Sequence, residues 1–465
     1  MRWPWTWTAT SRNGHRRGRN CRRRCTGRAG RSRWASITWV RPTCRGSCNC
    51  ARARTRPAST AASALPPSPT GSTRAWRRRC RRSTAAWTRR CWKSSARAWR
   101  ASTSKSTNPR SRPPAMTETP AIAAALLDWF DRCGRRDLPW QHPRTPYRVW
   151  LSEIMLQQTQ VQVVLPYFER FVAALPGVRE LAAAPLDQVL ALWSGLGYYA
   201  RARNLHAAAR ACVEHHGGEL PRDFNALLAL PGIGRSTAGA ILAQAWEERF
   251  PILDGNVKRV LARLHGIDGW PGTPAVEKQL WALAQAQLPR ARMADYTQAQ
   301  MDFGATLCTR FDPACVVCPL QAACVALQSG RVAELPWPKP GKARPVRSAV
   351  VLLLVDAGDR VLLQRRPATG VWAALWSLPE APDHALAREW FHGHVDASYD
   401  HGEALPVIDH GFTHYHLQLQ PLRWPRVAMR AKVADNDDLR WAGRNEWASL
   451  GIPAPIRKLL EETVA

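Results

Sequence analysis

The sequence predicts an all-α domain over residues 116–328, a linker over 329–347 and a smaller α+β domain over 348–465. Three observations carry this. From Thr119 to Val325 apolar residues recur at helical spacing, and strand-like alternation is nearly absent. Residues 329–347, SGRVAELPWPKPGKARPVR, hold four prolines among several charges, a composition that favours an extended connection. After Ser348 short β-branched runs replace the helical pattern.

Within the first domain, Ala121–Cys133 and Val149–Val164 both read as amphipathic helices. Pro176-Gly177, Gly195-Leu196-Gly197, Gly217-Gly218, Pro231-Gly232 and Pro271-Gly272 punctuate the remainder. In the second domain, Ser348–Asp356 and Val361–Arg365 flank Ala357-Gly358-Asp359, a hairpin signal. Further strands are expected at Trp376–Leu378, Val407–Gly411 and His414–Arg423, with helices at His384–His392 and Pro455–Val464.

The formal charge of +32 is unevenly placed. Residues 1–115 carry 30 Lys and Arg and no acid, which leaves 37 basic and 35 acidic residues for 116–465. The net charge therefore says little about what the folded domains bind. A chain so rich in Arg and free of acids repels itself and is expected to be disordered. It fits a basic nucleic-acid arm, an organelle transit peptide or a start codon placed too far upstream. The sharp change at Met116, the first methionine after Met1, favours the third. No apolar run approaches a membrane span, Ala349–Val355 being only seven residues, so a soluble, intracellular protein is expected.

Four segments point to chemistry. Cys308, Cys315, Cys318 and Cys324 fall within 17 residues, a thiolate set that suits zinc or a [4Fe–4S] cluster in a reducing compartment. Leu230-Pro231-Gly232-Ile233-Gly234-Arg235-Ser236 lies between two helical stretches. Its glycines let the chain turn tightly, so that backbone amides at a helix start face a phosphate; a plain packing corner is the alternative. Asp254, in Ile252-Leu253-Asp254-Gly255-Asn256, precedes a helix and reads either as its cap or as a carboxylate beside a bound sugar. Glu153 lies among Trp150, Leu151, Ile154 and Met155, where burial would raise its proton affinity and suit it to general-acid work. Glu153 and Gln157, four apart, would share a helix face; an ordinary surface Glu is the alternative.

Together these segments resemble the helix–hairpin–helix DNA glycosylase superfamily, and within it the adenine DNA glycosylases of the MutY type. The stretches Leu138-Pro139-Trp140, Pro146 to Val161 and Trp193 to Leu205 carry the closer match, over 116–465 and none of 1–115. The resemblance implies an all-α helix–hairpin–helix glycosylase domain with an iron–sulfur loop, followed by a Nudix-like α+β domain. It implies one [4Fe–4S] cluster on Cys308, Cys315, Cys318 and Cys324, in a loop that would present Arg310 to DNA. The implied partner is duplex DNA holding adenine opposite 8-oxoguanine or guanine, met by a monomer in a bacterial cytoplasm with the nucleoid. Glu153 and Asp254 become the catalytic carboxylates. Gln158 and Tyr198 would fill or wedge the gap left by an extruded base, with Leu196 nearby, Gly232, Gly234 and Ser236 would line the phosphate clamp, and Asn256, Tyr296 and Gln298 would hold the site or the base.

Endonuclease III, a glycosylase and lyase with the same cluster, is the nearest alternative, but it carries a Lys where this chain has Ser236. Without that amine there is no Schiff-base nucleophile, so a monofunctional enzyme is expected, with Lys258 the nearest adventitious amine. Around Leu378–Phe391 the chain has Arg388-Glu389 but no following Glu-Glu pair, so the magnesium-binding box of a working Nudix hydrolase is missing. Phe412-Thr413-His414-Tyr415-His416 resembles the loop that reads 8-oxoguanine, although an ordinary strand is the reading from pattern alone. A catalytically idle lesion-binding protein is the remaining alternative.

Overall fold

The computed structural model describes residues 120–341, 343–430 and 438–464, so the expectations for 1–115 lie outside the described residues. The helices of the first domain are α1 (Ala121–Cys133), α2 (Pro146–Leu156), α3 (Val161–Ala174), α4 (Val178–Ala183), α5 (Leu186–Trp193), α6 (Ala200–His215), α7 (Phe224–Ala229), α8 (Arg235–Trp246), α9 (Gly255–His265), α10 (Pro274–Ala286), α11 (Met293–Thr306) and α12 (Val325–Gln328). Local chemistry sets their ends. Thr145 caps α2 by accepting from the Arg148 amide at 3.3 Å, and Pro146 occupies the first turn, where its missing N–H costs nothing. Gly266 ends α9 in a left-handed conformation.

One helical expectation breaks. Val149–Val164 is two helices, with a turn at Gln157–Gln160 in which Gln158 takes a φ of 59°. The apolar spacing runs on because both helices pack into one core through Trp150, Ile154, Val164 and Phe168. Periodicity reports which face is buried, and two helices sharing a core keep it across a break. Gln157 therefore leaves the helix face it was expected to share with Glu153.

In the second domain the strands are β1 (Val346–Leu354), β2 (Val361–Arg365), β3 (Trp376–Ser377), β4 (Glu380–Ala381), β5 (Glu403–Ala404), β6 (Ile408–Gly411), β7 (His416–Trp424) and β8 (Leu439–Ala442). Two helices, α13 (His384–His394) and α14 (Ala454–Thr463), complete it. One sheet runs β4-β1-β7-β5 with β6 also on β7, and the other runs β3-β2-β8. β1 and β7 are parallel, from Val346 opposite His416 to Leu354 opposite Trp424. The expected β1–β2 hairpin is only a tight turn: Val355 bridges Val361, and the two strands then enter different sheets. β1 finds its hydrogen bonds along β7 instead, and its last six residues are buried. The expected strand at His414 begins at His416, which leaves 412–415 as the loop of a β6–β7 hairpin.

The linker is not wholly extended away from the domain. Leu335 is buried, and its carbonyl accepts from Arg263 Nε of α9 at 2.8 Å. The two domains also share one apolar core. Tyr199 Oη and Ser194 Oγ both donate to the Ile452 carbonyl at 3.4 Å, Arg203 Nη1 donates to the Ala373 carbonyl at 2.9 Å, and Arg365 pairs with Asp187 at 2.6 Å. The second domain thus sits on α5, α6 and the loop between them. Among the described residues no helix is long and apolar enough to cross a membrane.

Gly239, inside α8, shows how tightly the centre is packed. A Cβ there would lie 2.5 Å from the Pro251 carbonyl oxygen, on the segment that leads to Asp254. Helix propensity alone would make Gly239→Ala stabilising by about 1 kcal/mol. The backbone contact reverses the sign, and a loss of about 2 kcal/mol is expected in urea unfolding. A gain in stability would show that α8 and this segment are free to separate.

Candidate active site

α2 and α8 face each other, and Glu153 projects between them. Gln244 Nε2 on α8 donates to Glu153 Oε1 at 2.9 Å. Gln244 is itself buried in a helix otherwise built of Ala, Ile and Leu at its core-facing positions. Loss of solvent pushes the Glu153 carboxyl up to about 7; the Gln244 bond opposes this, and the charge of Asp254 adds to it.

Asp254 is the residue before α9, and the capping geometry expected as one alternative is realised. Oδ1 accepts from the Val257 amide at 2.8 Å, and Oδ2 accepts from Asn256 Nδ2 at 3.3 Å. Burial raises its proton affinity, while the cap bonds and the nearby Arg259 charge lower it. The cap does not exclude a second role; it fixes where the carboxylate points. Ser236 ties this segment to the hairpin, since its Oγ accepts from the Leu253 amide at 2.9 Å. Lys258 is engaged by Glu277 Oε1 at 2.7 Å.

The hairpin joins α7 to α8. Gly232 has a φ of 80°, and a Cβ there would sit 2.8 Å from Asn204 Cβ on α6, so this position needs glycine twice over. Gly234 stands exposed at the start of α8, and a Cβ added to it would meet nothing within 4 Å. Its neighbourhood is open for a ligand to approach the first amides of the helix.

Gln158 and Tyr198 are both exposed and both left-handed, at φ 59° and 50°. Tyr198 keeps 48% of its surface open. Leu196 differs: it is only 6% exposed and packs into the core beneath the loop, so it does not itself present a surface. Gln298 is 3% exposed; its Nε2 donates to Asp302 Oδ1 at 2.8 Å, and its Oε1 has no protein partner. The Tyr296 hydroxyl is likewise buried without a partner. Thr413 and His414 are exposed on the β6–β7 loop, with Thr413 Oγ1 and His414 Nδ1 3.3 Å apart. Their neighbour Phe412 packs on Trp372 at 5.3 Å, next to the Ala373 carbonyl that Arg203 holds.

Below α9 lies the cysteine loop. Its four thiols are in no disulfide, and Cys308, Cys318 and Cys324 are half-buried against the core of α1 and α11. Burial pushes the thiols of Cys315 and Cys318 up, and the neighbouring Cys308 and Cys324 add to the shift. Arg263 Nη1 donates to Cys308 Sγ at 3.5 Å. Among the described residues no three His, Cys, Asp or Glu side chains close around a single metal ion. A four-iron cluster spaces its thiolates more widely than a mononuclear site, and this donor set fits one. Arg310 and Phe311 project from the same loop, the guanidinium 5.0 Å from the ring.

Three residues around the site carry no motif of their own. Gln244 sits in a stretch that reads as apolar, while Arg201 and Arg259 lie beside the motif residues with no role read for them from the pattern. Arg259 links Asn256 Oδ1, at 2.9 Å, to the Cys308 carbonyl, also at 2.9 Å. A buried polar residue on an apolar helix face was the one signal that could have found Gln244.

This hairpin, the carboxylate pair and the thiol loop together define a helix–hairpin–helix base-excision protein with an appended Nudix-fold domain. Residues 151–286 match the HhH-GPD superfamily of base excision DNA repair proteins, and residues 350–462 match the NUDIX domain. The adenine DNA glycosylase of Buchnera aphidicola (subspecies Acyrthosiphon pisum) is 35% identical over 338 residues, 72% of this chain and 95% of its own. The adenine DNA glycosylase of Homo sapiens is 32% identical over 408 residues, 74% of each chain. A solved thermostable thymine-DNA glycosylase aligns with 45% of this chain and 95% of its own, at 28% identity and a TM-score of 0.42. The chain belongs to the adenine DNA glycosylase family.

Glu153 should cost stability when ionised. Its folded proton affinity is raised above the usual 4.5, so its favourable contribution is complete below that value and is lost as pH rises through about 7. Glu153→Gln keeps an oxygen for Gln244 and removes the titration. The variant is expected to match the parent at pH 4 and to exceed it by roughly 1–3 kcal/mol at pH 8, read from unfolding curves at both pH values. Equal stability at pH 8 would mean the carboxylate is solvated after all.

Proposed function

We propose that this adenine DNA glycosylase hydrolyses the N-glycosidic bond of adenine opposite 8-oxoguanine or guanine in duplex DNA, and that it leaves the sugar–phosphate strand uncut. The observation that carries the reading is the pair of carboxylates. Glu153 is half-buried beside Gln244, where loss of solvent pushes its carboxyl up to about 7, while Asp254 is fixed by its cap near enough for its charge to add to that shift. Two carboxyl groups in unlike surroundings suit one acid and one stabilising anion.

The adenine must leave the stack before chemistry. Tyr198 and Gln158 stand ready to occupy the vacated space, and the exposed amides around Gly232 and Gly234 take the backbone phosphate. Gln298, buried on α11 with Oε1 left without a protein partner, is a candidate for holding the site around the flipped base. Glu153 then gives its proton to a ring nitrogen of adenine. The C1′–N9 bond breaks with its electron pair going to the base, and the sugar becomes an oxocarbenium ion. Asp254 stabilises that positive charge, held in place by the Val257 amide and Asn256. Water adds to C1′, and its proton goes to Glu153, which restores the acid.

Cys308, Cys315, Cys318 and Cys324 would hold one [4Fe–4S] cluster, which when bound supplies a rigid crosslink across their loop. Arg310 on that loop is exposed and suits a second phosphate. The second domain reads the opposite base through Thr413 and His414, which are exposed on their hairpin loop. Cleavage of the strand by a lyase step is disfavoured. Ser236 has no amine and its oxygen is engaged by Leu253, and Lys258 is paired with Glu277.

The test uses the full chain and a duplex with one adenine opposite 8-oxoguanine. Free adenine is expected, with an abasic strand that breaks only after alkali and no more than trace adduct under borohydride. Strand cleavage without alkali, with efficient trapping, would replace this reading with the bifunctional one.

A further inference from the structure

The geometry points to Arg201 of α6 as the positioning residue that sets the backbone of both DNA-facing loops and locks them to the helix carrying Glu153. The inference rests on the reading that Gln158 and Tyr198 meet the duplex. Arg201 is 8% exposed, and its guanidinium faces five backbone carbonyls and a hydroxyl. Nη1 donates to the carbonyls of Ile154 at 3.1 Å, Met155 at 2.7 Å and Gln157 at 2.6 Å. Nη2 donates to Thr159 Oγ1 at 3.2 Å and to the carbonyls of Leu196 at 3.2 Å and Gly197 at 3.1 Å.

Each group of acceptors has a physical reason to be there. Ile154 and Met155 lie in the last turn of α2, whose carbonyls have no further helical partner and whose dipole favours a cation. Gln157 and Thr159 flank Gln158, and Gly197 immediately precedes Tyr198. Gln158 is therefore bracketed, and Tyr198 immediately preceded, by groups bonded to one guanidinium. Ordinary L-residues leave that conformation unless their surroundings over-determine it. The planar fork also lies 5.5 Å from the Tyr198 ring and 5.4 Å from Trp193. A lysine keeps the charge but has one donor centre, so it cannot span three chain segments.

A buried arginine with so many bonds also stabilises the fold, so the test must separate the two roles. Adenine excision is followed in single turnover at saturating enzyme, with duplex affinity and thermal midpoint measured alongside, on duplexes holding adenine opposite 8-oxoguanine. Arg201→Lys in the otherwise unaltered chain is expected to slow excision about tenfold or more at a temperature where the variant remains folded. In a Gln158→Ala/Tyr198→Ala background the same substitution is expected to cost less than about threefold, because the groups it positions are gone. Equal factors in the two backgrounds would overturn the inference, as would a lowered midpoint with an unchanged rate. Thr159→Val removes one acceptor and leaves the guanidinium in place; it is expected to slow excision about threefold in the parent and not in the double-alanine background. An unchanged rate in the parent would also overturn the inference, even if Arg201→Lys fails to fold. If Gln158→Ala/Tyr198→Ala excises adenine as fast as the parent, the reading of these two as DNA-facing falls, and the inference falls with it. That outcome is distinct from additivity.

Discussion

The desolvated carboxyl of Glu153 is the constraint around which the rest of the molecule is arranged. A carboxyl in that place resists ionisation, and it persists only because neighbouring groups hold its position. Gln244 supplies the one side-chain hydrogen bond from α8, and Gly239 of the same helix lets the segment that leads to Asp254 approach from another side. The cost is local. A site that keeps a proton near neutral pH accepts lower stability at alkaline pH in exchange for an acid.

The second carboxylate is placed by independent means. Asp254 begins α9, and the cap bonds, the Asn256 contact and the Ser236–Leu253 bond each restrict it from a different side. Arg259 extends this set to the Cys308 carbonyl, so the thiol loop abuts the same helix that Asp254 caps. On the opposite side, Arg203 and Tyr199 fasten α6 and its preceding loop to the second domain. The loop carrying Tyr198 thus lies between the second domain and the helix that carries Glu153.

Much of this was legible in the sequence because the informative residues are local. The Pro-Gly-x-Gly turn, the four cysteines and the apolar setting of Glu153 each predict their own surroundings, and the domain boundary follows from a change of period. What the pattern did not show is contact across sequence distance. Gln244 reaches Glu153 across 91 positions, and no spacing rule connects them. The break at Gln158 was hidden because α2 and α3 bury the same face. Leu196 reads as a loop residue yet is buried, since the loop folds back on the core. β1 and β2 read as a hairpin because a turn of that composition favours one, and the parallel pairing of β1 with β7 outweighed it.

The central claim is that Glu153 acts as the acid, and the pH dependence of adenine excision tests it most directly. The apparent second-order rate constant reports the free enzyme. In the parent it is expected to fall as pH rises through about 7, where Glu153 loses its proton. In Glu153→Gln that limb should vanish, and the residual rate should be lower by about a hundredfold or more. A Glu153→Gln variant that kept both the parent's rate and its alkaline limb would contradict the account.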